Sequence, residues 1–85
     1  MRASVADLAV STRQAERFID VIAVRRSGRP SRVRFSGLPV GVGEGAVLAH
    51  PGGNPSRPIA ATRGAFTDPS PFRRHDARVY RFATG

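Results

Sequence analysis

Ser11-Thr12-Arg13-Gln14-Ala15-Glu16-Arg17-Phe18-Ile19-Asp20-Val21-Ile22-Ala23-Val24-Arg25-Arg26 carries the clearest periodicity in the chain, and its reading decides the fold. Ala15, Phe18, Ile19, Ile22 and Ala23 recur at i, i+3, i+4, i+7 and i+8, the spacing of one apolar stripe along a helix. Arg13, Arg17 and Asp20 fall off that stripe. Ser11 and Gln14 have capping-box spacing, in which the hydroxyl accepts an orphan amide and Gln14 reaches back. Arg25 and Arg26 would close the last turn, where positive charge suits the dipole, and Gly28 and Pro30 would stop it. Upstream, Ser4 and Asp7 repeat the capping spacing, and Val5, Leu8 and Ala9 supply a short apolar face. The pattern predicts a helix or helical hairpin over about residues 4–26.

Beyond Pro30 the period changes. Arg32, Val33, Arg34 and Phe35 alternate as a half-exposed strand would, and Arg78 to Phe82 reads as a last strand. Ala46 to Ala49 and Ile59 to Thr62 are brief apolar runs between turns such as His50 to Pro55. Seven glycines and six prolines between residues 36 and 72 call for short strands with long turns, or for partial disorder. The expected architecture is a small α+β domain over residues 1–85, helical over 1–27, with Gly/Pro-rich turns and poorly specified strands over 28–85.

Eighty-five residues suit one small domain, and the absence of cysteine removes disulfides and thiolate metal sites as supports for a thin core. No stretch has the apolar centre of a secretory signal or the length of a membrane span, so the expected compartment is the cytoplasm. The formal charge is +8, and all fourteen basic residues are arginine. The excess sits in two clusters. Arg25, Arg26, Arg29, Arg32 and Arg34 have no acid among them, and Arg73, Arg74, Arg78 and Arg81 have only Asp76. Arginine's planar fork suits phosphate. Yet Ala, Arg, Gly, Pro and Val make up 51 of the 85 residues, a bias that a G+C-rich coding sequence produces without selection for binding.

The run Leu8-Ala9-Val10-Ser11-Thr12-Arg13-Gln14-Ala15-Glu16-Arg17-Phe18-Ile19 resembles the helix-turn-helix unit of bacterial transcription regulators, closest to those of the arabinose-regulator class. The resemblance implies that Val5 packs the first helix, Ala9 and Val10 form the turn, Ser11 caps, and Ala15 and Phe18 pack inward. It implies that Thr12, Arg13, Glu16 and Arg17 face DNA. It covers about sixteen residues, with no preceding helix and no third helix to complete a core.

These observations define the candidate nucleic-acid residues as Arg13, Arg17, Arg25, Arg26, Arg29, Arg32, Arg34, Arg73, Arg74, Arg78 and Arg81. Tyr80 and Phe82 would share one strand face, either stacking bases or filling the core. The alternative function is that of a partner-dependent subunit, antitoxin-like, docking through Ala15, Phe18, Ile19 and Ile22. A third reading is a fragment or a reading frame with no selected function. Gly41 to Gly45 lacks the lysine and hydroxyl of a phosphate loop, and Asn54 precedes proline, which voids a glycosylation triplet. A site on His50 or His75, the only histidines, would need carboxylates to complete it, and the adjacency of His75 and Asp76 does not supply one, since neighbours point apart on a strand. The chemistry therefore points away from an enzyme, a cofactor or a metal centre.

Overall fold

The computed structural model of the chain describes residues 1–39, 41–48 and 55–84, and among them there is no helix. Eight strands form two antiparallel sheets: β1 (Arg2–Ala3), β2 (Leu8–Gln14), β3 (Phe18–Arg25), β4 (Arg34–Ser36), β5 (Glu44–Leu48), β6 (Pro55–Ala60), β7 (Ala65–Thr67) and β8 (Ala77–Ala83). A five-stranded sheet runs in the order β2-β3-β8-β5-β6, and a three-stranded sheet in the order β1-β4-β7 packs on it.

The expected α+β class with a helical hairpin over residues 4–26 is therefore corrected to all-β. That segment is a β-hairpin with Leu8 opposite Arg25 and Gln14 opposite Ile19, closed where Ala15 N donates to Phe18 O at 2.9 Å. The composition of β3 explains the outcome. Phe18, Ile19, Val21, Ile22 and Val24 are β-branched or aromatic, the residues that fit a pleated surface and lose rotamer freedom in a helix. A helix would also leave Val21 and Val24 on its far side. A strand puts Ile19, Val21 and Ala23 into the core and Phe18, Ile22 and Val24 on the other face. With no helix, the helix-turn-helix resemblance has no structural counterpart. Arg13 sits on β2 and Arg17 in the turn that follows, not on a recognition helix.

The alternation at residues 32–35 lies at β4, with Val33 and Phe35 fully buried and Arg32 and Arg34 exposed. Phe35 stacks on Phe66 with centroids 4.8 Å apart and an interplanar angle of 18°. Tyr80 tilts against both rings, and Phe82 tilts against Phe66 at 4.9 Å. These rings, with Ile19, Val21, Val33, Val47 and Phe72, make one core between the sheets. Tyr80 and Phe82 share a face, as alternation requires, and are fully buried in it.

Gly45 allows the central strands to approach. A Cβ there would meet Phe82 Cδ1 at 2.5 Å and the Arg81 carbonyl oxygen at 2.6 Å. Arg63 and Gly64, with φ of 53° and 77°, form a two-residue turn closed by reciprocal backbone bonds between Thr62 and Ala65. Two consecutive positive φ values give the turn the twist that matches antiparallel strands. The turn read at His50 to Pro55 falls mostly on residues 49–54, which lie outside the described residues, as does His50 itself.

Candidate functional site

One end of the sandwich is organised around Asp68, which is fully buried. It accepts both Nη groups of Arg57 at 2.7 and 3.0 Å, Nη1 of Arg78 at 2.8 Å, the Tyr80 hydroxyl at 2.7 Å and the Ser70 amide at 2.9 Å. Burial alone would raise the Asp68 carboxyl. The bonds from Arg57, Tyr80, Ser70 N–H and Arg78 outweigh it and hold the group down at about 2. Burial, then the adjacent carboxylate, pushes the Tyr80 phenol well above its ordinary value.

Arg57, Arg78 and Arg25 come from inward positions of the five-stranded sheet, where the core rows give way to guanidinium groups at its end. Arg78 donates to the carbonyls of Ser70 at 2.6 Å and Pro71 at 2.7 Å, and its Cζ lies 4.1 Å from the Phe72 ring centroid. Arg25, buried, donates to the carbonyls of Phe72 and Ser27 and pairs with Asp7 at 3.5 Å. Together they clamp the loop between β7 and β8. Its residues Pro69 and Pro71 have no amide donors of their own.

The predicted nucleic-acid arginines divide accordingly. Arg25 and Arg78 are consumed by the clamp. Arg81 lies on the outer face of β8, bidentate with Asp20 at 2.8 and 3.0 Å and with its Cζ 4.0 Å from the Phe18 ring centroid. Asp20 is buried beneath it and holds that guanidinium above its ordinary pKa. Arg13 and Arg17 are exposed at the far end of the β2–β3 hairpin, roughly 20 Å along the strands from Arg25.

Arg26, Arg29, Arg32, Arg73 and Arg74 are exposed in two loops that the fold joins, and Arg34 is exposed on the outer face of β4. Ser31 and Phe72 exchange backbone bonds at 3.0 and 2.8 Å. His75 N donates to Arg25 O, and Arg25 N donates to Asp76 O. Two clusters about forty residues apart in sequence thus lie side by side.

The outer face of the five-stranded sheet has a different chemistry. By register it carries Ala9, Ser11 and Arg13 of β2; Phe18, Asp20, Ile22 and Val24 of β3; and Ala77, Val79, Arg81 and Ala83 of β8. Glu44, Ala46 and Leu48 of β5 and Pro58 and Ala60 of β6 complete it. Apart from Ser11, Arg13, Asp20, Arg81 and Glu44, every one of these positions is apolar. Leu48 and Val79 are buried there, outside the central core, and Val24 is 39% exposed. The predicted partner face of Ala15, Phe18, Ile19 and Ile22 is split by the strand period. Phe18 and Ile22 point outward, Ile19 points into the core, and Ala15 lies in the turn.

Among the described residues, no cluster of three or more His, Asp or Glu side chains could hold a metal ion. A shallow depression of about 440 Å³ beside Glu44, Gly45, Pro58, Ile59 and Ala60 contains a single carboxylate. His75 is exposed in a turn with φ 69°. Among the described residues there is no helix long and apolar enough to cross a membrane.

The Asp68 hub and the Asp20–Arg81–Phe18 group are absent from the sequence reading. The Asp68-Pro69-Ser70-Pro71 motif reads as a chain break; the aspartate two residues before Ser70 was the available signal for an Asp-centred turn, which the fold forms with Ser70 N donating to Asp68. Compared with known protein families, curated proteins and solved structures, the chain matches none.

Proposed function

We propose that this chain is a non-catalytic β-sandwich module that binds another protein through the outer face of its five-stranded sheet. The carrying observation is the register. It leaves Phe18, Ile22 and Val24 accessible on that face and paves the rest mainly with alanine, with Leu48 and Val79 buried beneath, whereas the outer face of an antiparallel sheet ordinarily alternates to polar residues. Small side chains allow close approach, and the Asp20–Arg81 pair neutralises the charge at the centre. Arg13 on the face and Arg17 beside it make no ion pair among the described residues, so the matching partner surface is apolar with carboxylates at that rim.

The test is site-specific photo-cross-linking in the producing cells from Val24, with Thr67 on the opposite sheet as control, followed by purification of the captured protein. Its affinity for the folded chain should fall at least about tenfold with Ile22→Asp or Val24→Asp, and less with Arg13→Glu. Wild-type affinity in the Ile22→Asp variant would refute the reading. Cross-links to a second copy of the chain would overturn the choice of a foreign partner.

A further inference from the structure

We infer that the loop end of the sandwich, carrying Arg26, Arg29, Arg32, Arg73 and Arg74, is a sequence-blind binding surface for the phosphodiester backbone of nucleic acid, separate from the apolar docking face. Three observations carry this. The first is convergence. The Ser31–Phe72 bridge and the bonds linking Arg25 to His75 and Asp76 bring the two loops together, so arginines from both share one end.

The second is the disposition of the carboxylates. Asp7 is paired with Arg25, Asp20 with Arg81, Asp68 with Arg57 and Arg78, and Asp76 with Arg78. Glu16 lies in the β2–β3 turn at the opposite end, and Glu44 on β5. None is left to neutralise the five exposed guanidinium groups, so their charge is available to a ligand. Arginine forks donate bidentately to phosphate oxygens.

The third is preorganisation. Arg78 and Arg25 fasten the carbonyls of Ser70, Pro71 and Phe72. The Asp76 carboxylate accepts Arg73 N at 2.7 Å and Asp76 N donates to Arg73 O at 3.1 Å, closing the turn that presents Arg73 and Arg74. Ser31 Oγ donates to Arg29 O at 2.9 Å in the other loop. A fixed array loses less freedom on binding than five arginines on mobile loops. With Tyr80 and Phe82 in the core, no aromatic platform accompanies the arginines. The contact is therefore made to the backbone and not to bases.

The experiment is fluorescence anisotropy with a short labelled DNA duplex of arbitrary sequence, titrated across roughly 50–200 mM salt. The full chain should bind with a steep salt dependence. Arg73→Ala with Arg74→Ala should weaken binding at low salt at least about tenfold and make the slope of log K against log salt shallower by about 2, near 0.9 per lost phosphate contact. Arg73→Lys with Arg74→Lys should keep the slope, and Arg13→Ala with Arg17→Ala should leave affinity and slope nearly unchanged. Circular dichroism melts confirm that each variant is folded. Equal losses from the Arg13/Arg17 and Arg73/Arg74 variants would overturn the proposal, because they would show that only net charge matters. Tighter binding of a heparin oligosaccharide of equal charge would overturn the assignment to nucleic acid.

Discussion

Replacing Asp68 with asparagine keeps the shape of the hub and removes its charge. Arg78, whose side chain is 13% exposed, then loses its buried carboxylate, and the Tyr80 hydroxyl loses a charged acceptor. Breaking a buried ion pair by removing one partner costs about 3–5 kcal/mol. The lower end applies here, because Arg57 is one-third exposed and water can replace its share. The amide oxygen also still accepts one bond. We expect a loss of about 3 kcal/mol from a total that, for a chain of this length, is roughly 4–13 kcal/mol. The melting temperature should drop by about 10–25 °C.

The pH dependence supplies an independent check on Asp68→Asn. Asp68 has its carboxyl lowered from 3.8 to about 2 in the folded state, so its stabilisation is complete above pH 4 and is lost as pH falls from about 4 to 2. That shift is worth about 2–3 kcal/mol. Urea denaturation followed by circular dichroism at several pH values should show this acid limb in the native chain and a flatter one in Asp68→Asn. Tyr80→Phe, which removes one donor and keeps the ring in its stack, should cost only about 1 kcal/mol. A loss under 1 kcal/mol in Asp68→Asn, or an unchanged acid limb, would refute the hub as a stabilising centre.

Gly45→Ala should destabilise by about 1–3 kcal/mol, since the new methyl meets a backbone carbonyl of β8 that cannot rotate away. Chemical denaturation measures it, and a neutral result would show that β5 and β8 can separate. Arg63→Asn should stabilise by about 0.5–1 kcal/mol, raising the melting temperature by a few degrees, because asparagine tolerates the left-handed φ of 53° better than arginine. A lower melting temperature would mean that the Arg63 side chain contributes a contact larger than its backbone strain.

The strand-like alternation at Val33 and Phe35 and at Tyr80 and Phe82 was legible because those strands have two visibly different faces. β3 was not legible for the same reason in reverse. Both of its faces are largely apolar, so period 2 vanishes, and Ala15, Phe18, Ile19, Ile22 and Ala23 happen to fit period 3.6. β-Branching at Ile19, Val21, Ile22 and Val24 was the available signal against a helix. The two arginine clusters were visible as charge. Which arginines are free depends on pairings across long sequence separations, such as Arg81 with Asp20, 61 residues apart, and on a bridge between Ser31 and Phe72. Local pattern contains no information on either.

The clamp raises the question of why the inner face ends in arginine when aliphatic side chains would cost no desolvation. Swapping a buried ion pair for apolar residues is often neutral or stabilising. Here the guanidinium groups also satisfy the acceptors of a loop in which Pro69 and Pro71 lack amide donors. Arg78→Met with Asp68→Leu removes both charges, but strips the Ser70 and Pro71 carbonyls of their donors and leaves Arg57, the Tyr80 hydroxyl and the Ser70 amide without their carboxylate acceptor. We expect that double variant to be at least about 3 kcal/mol less stable, not neutral, because two loop bonds are lost at about 1 kcal/mol each and the buried Tyr80 hydroxyl is left unsatisfied at a cost of about 1 kcal/mol or more. Hydrogen exchange should show faster exchange at the amides of Arg73 and Asp76, both held within this loop. If the loop's order also serves phosphate binding, DNA affinity should fall although every exposed arginine of that end is retained. A double variant as stable as the native chain, with unchanged exchange in the loop, would show that the arginines serve only to balance the Asp68 charge.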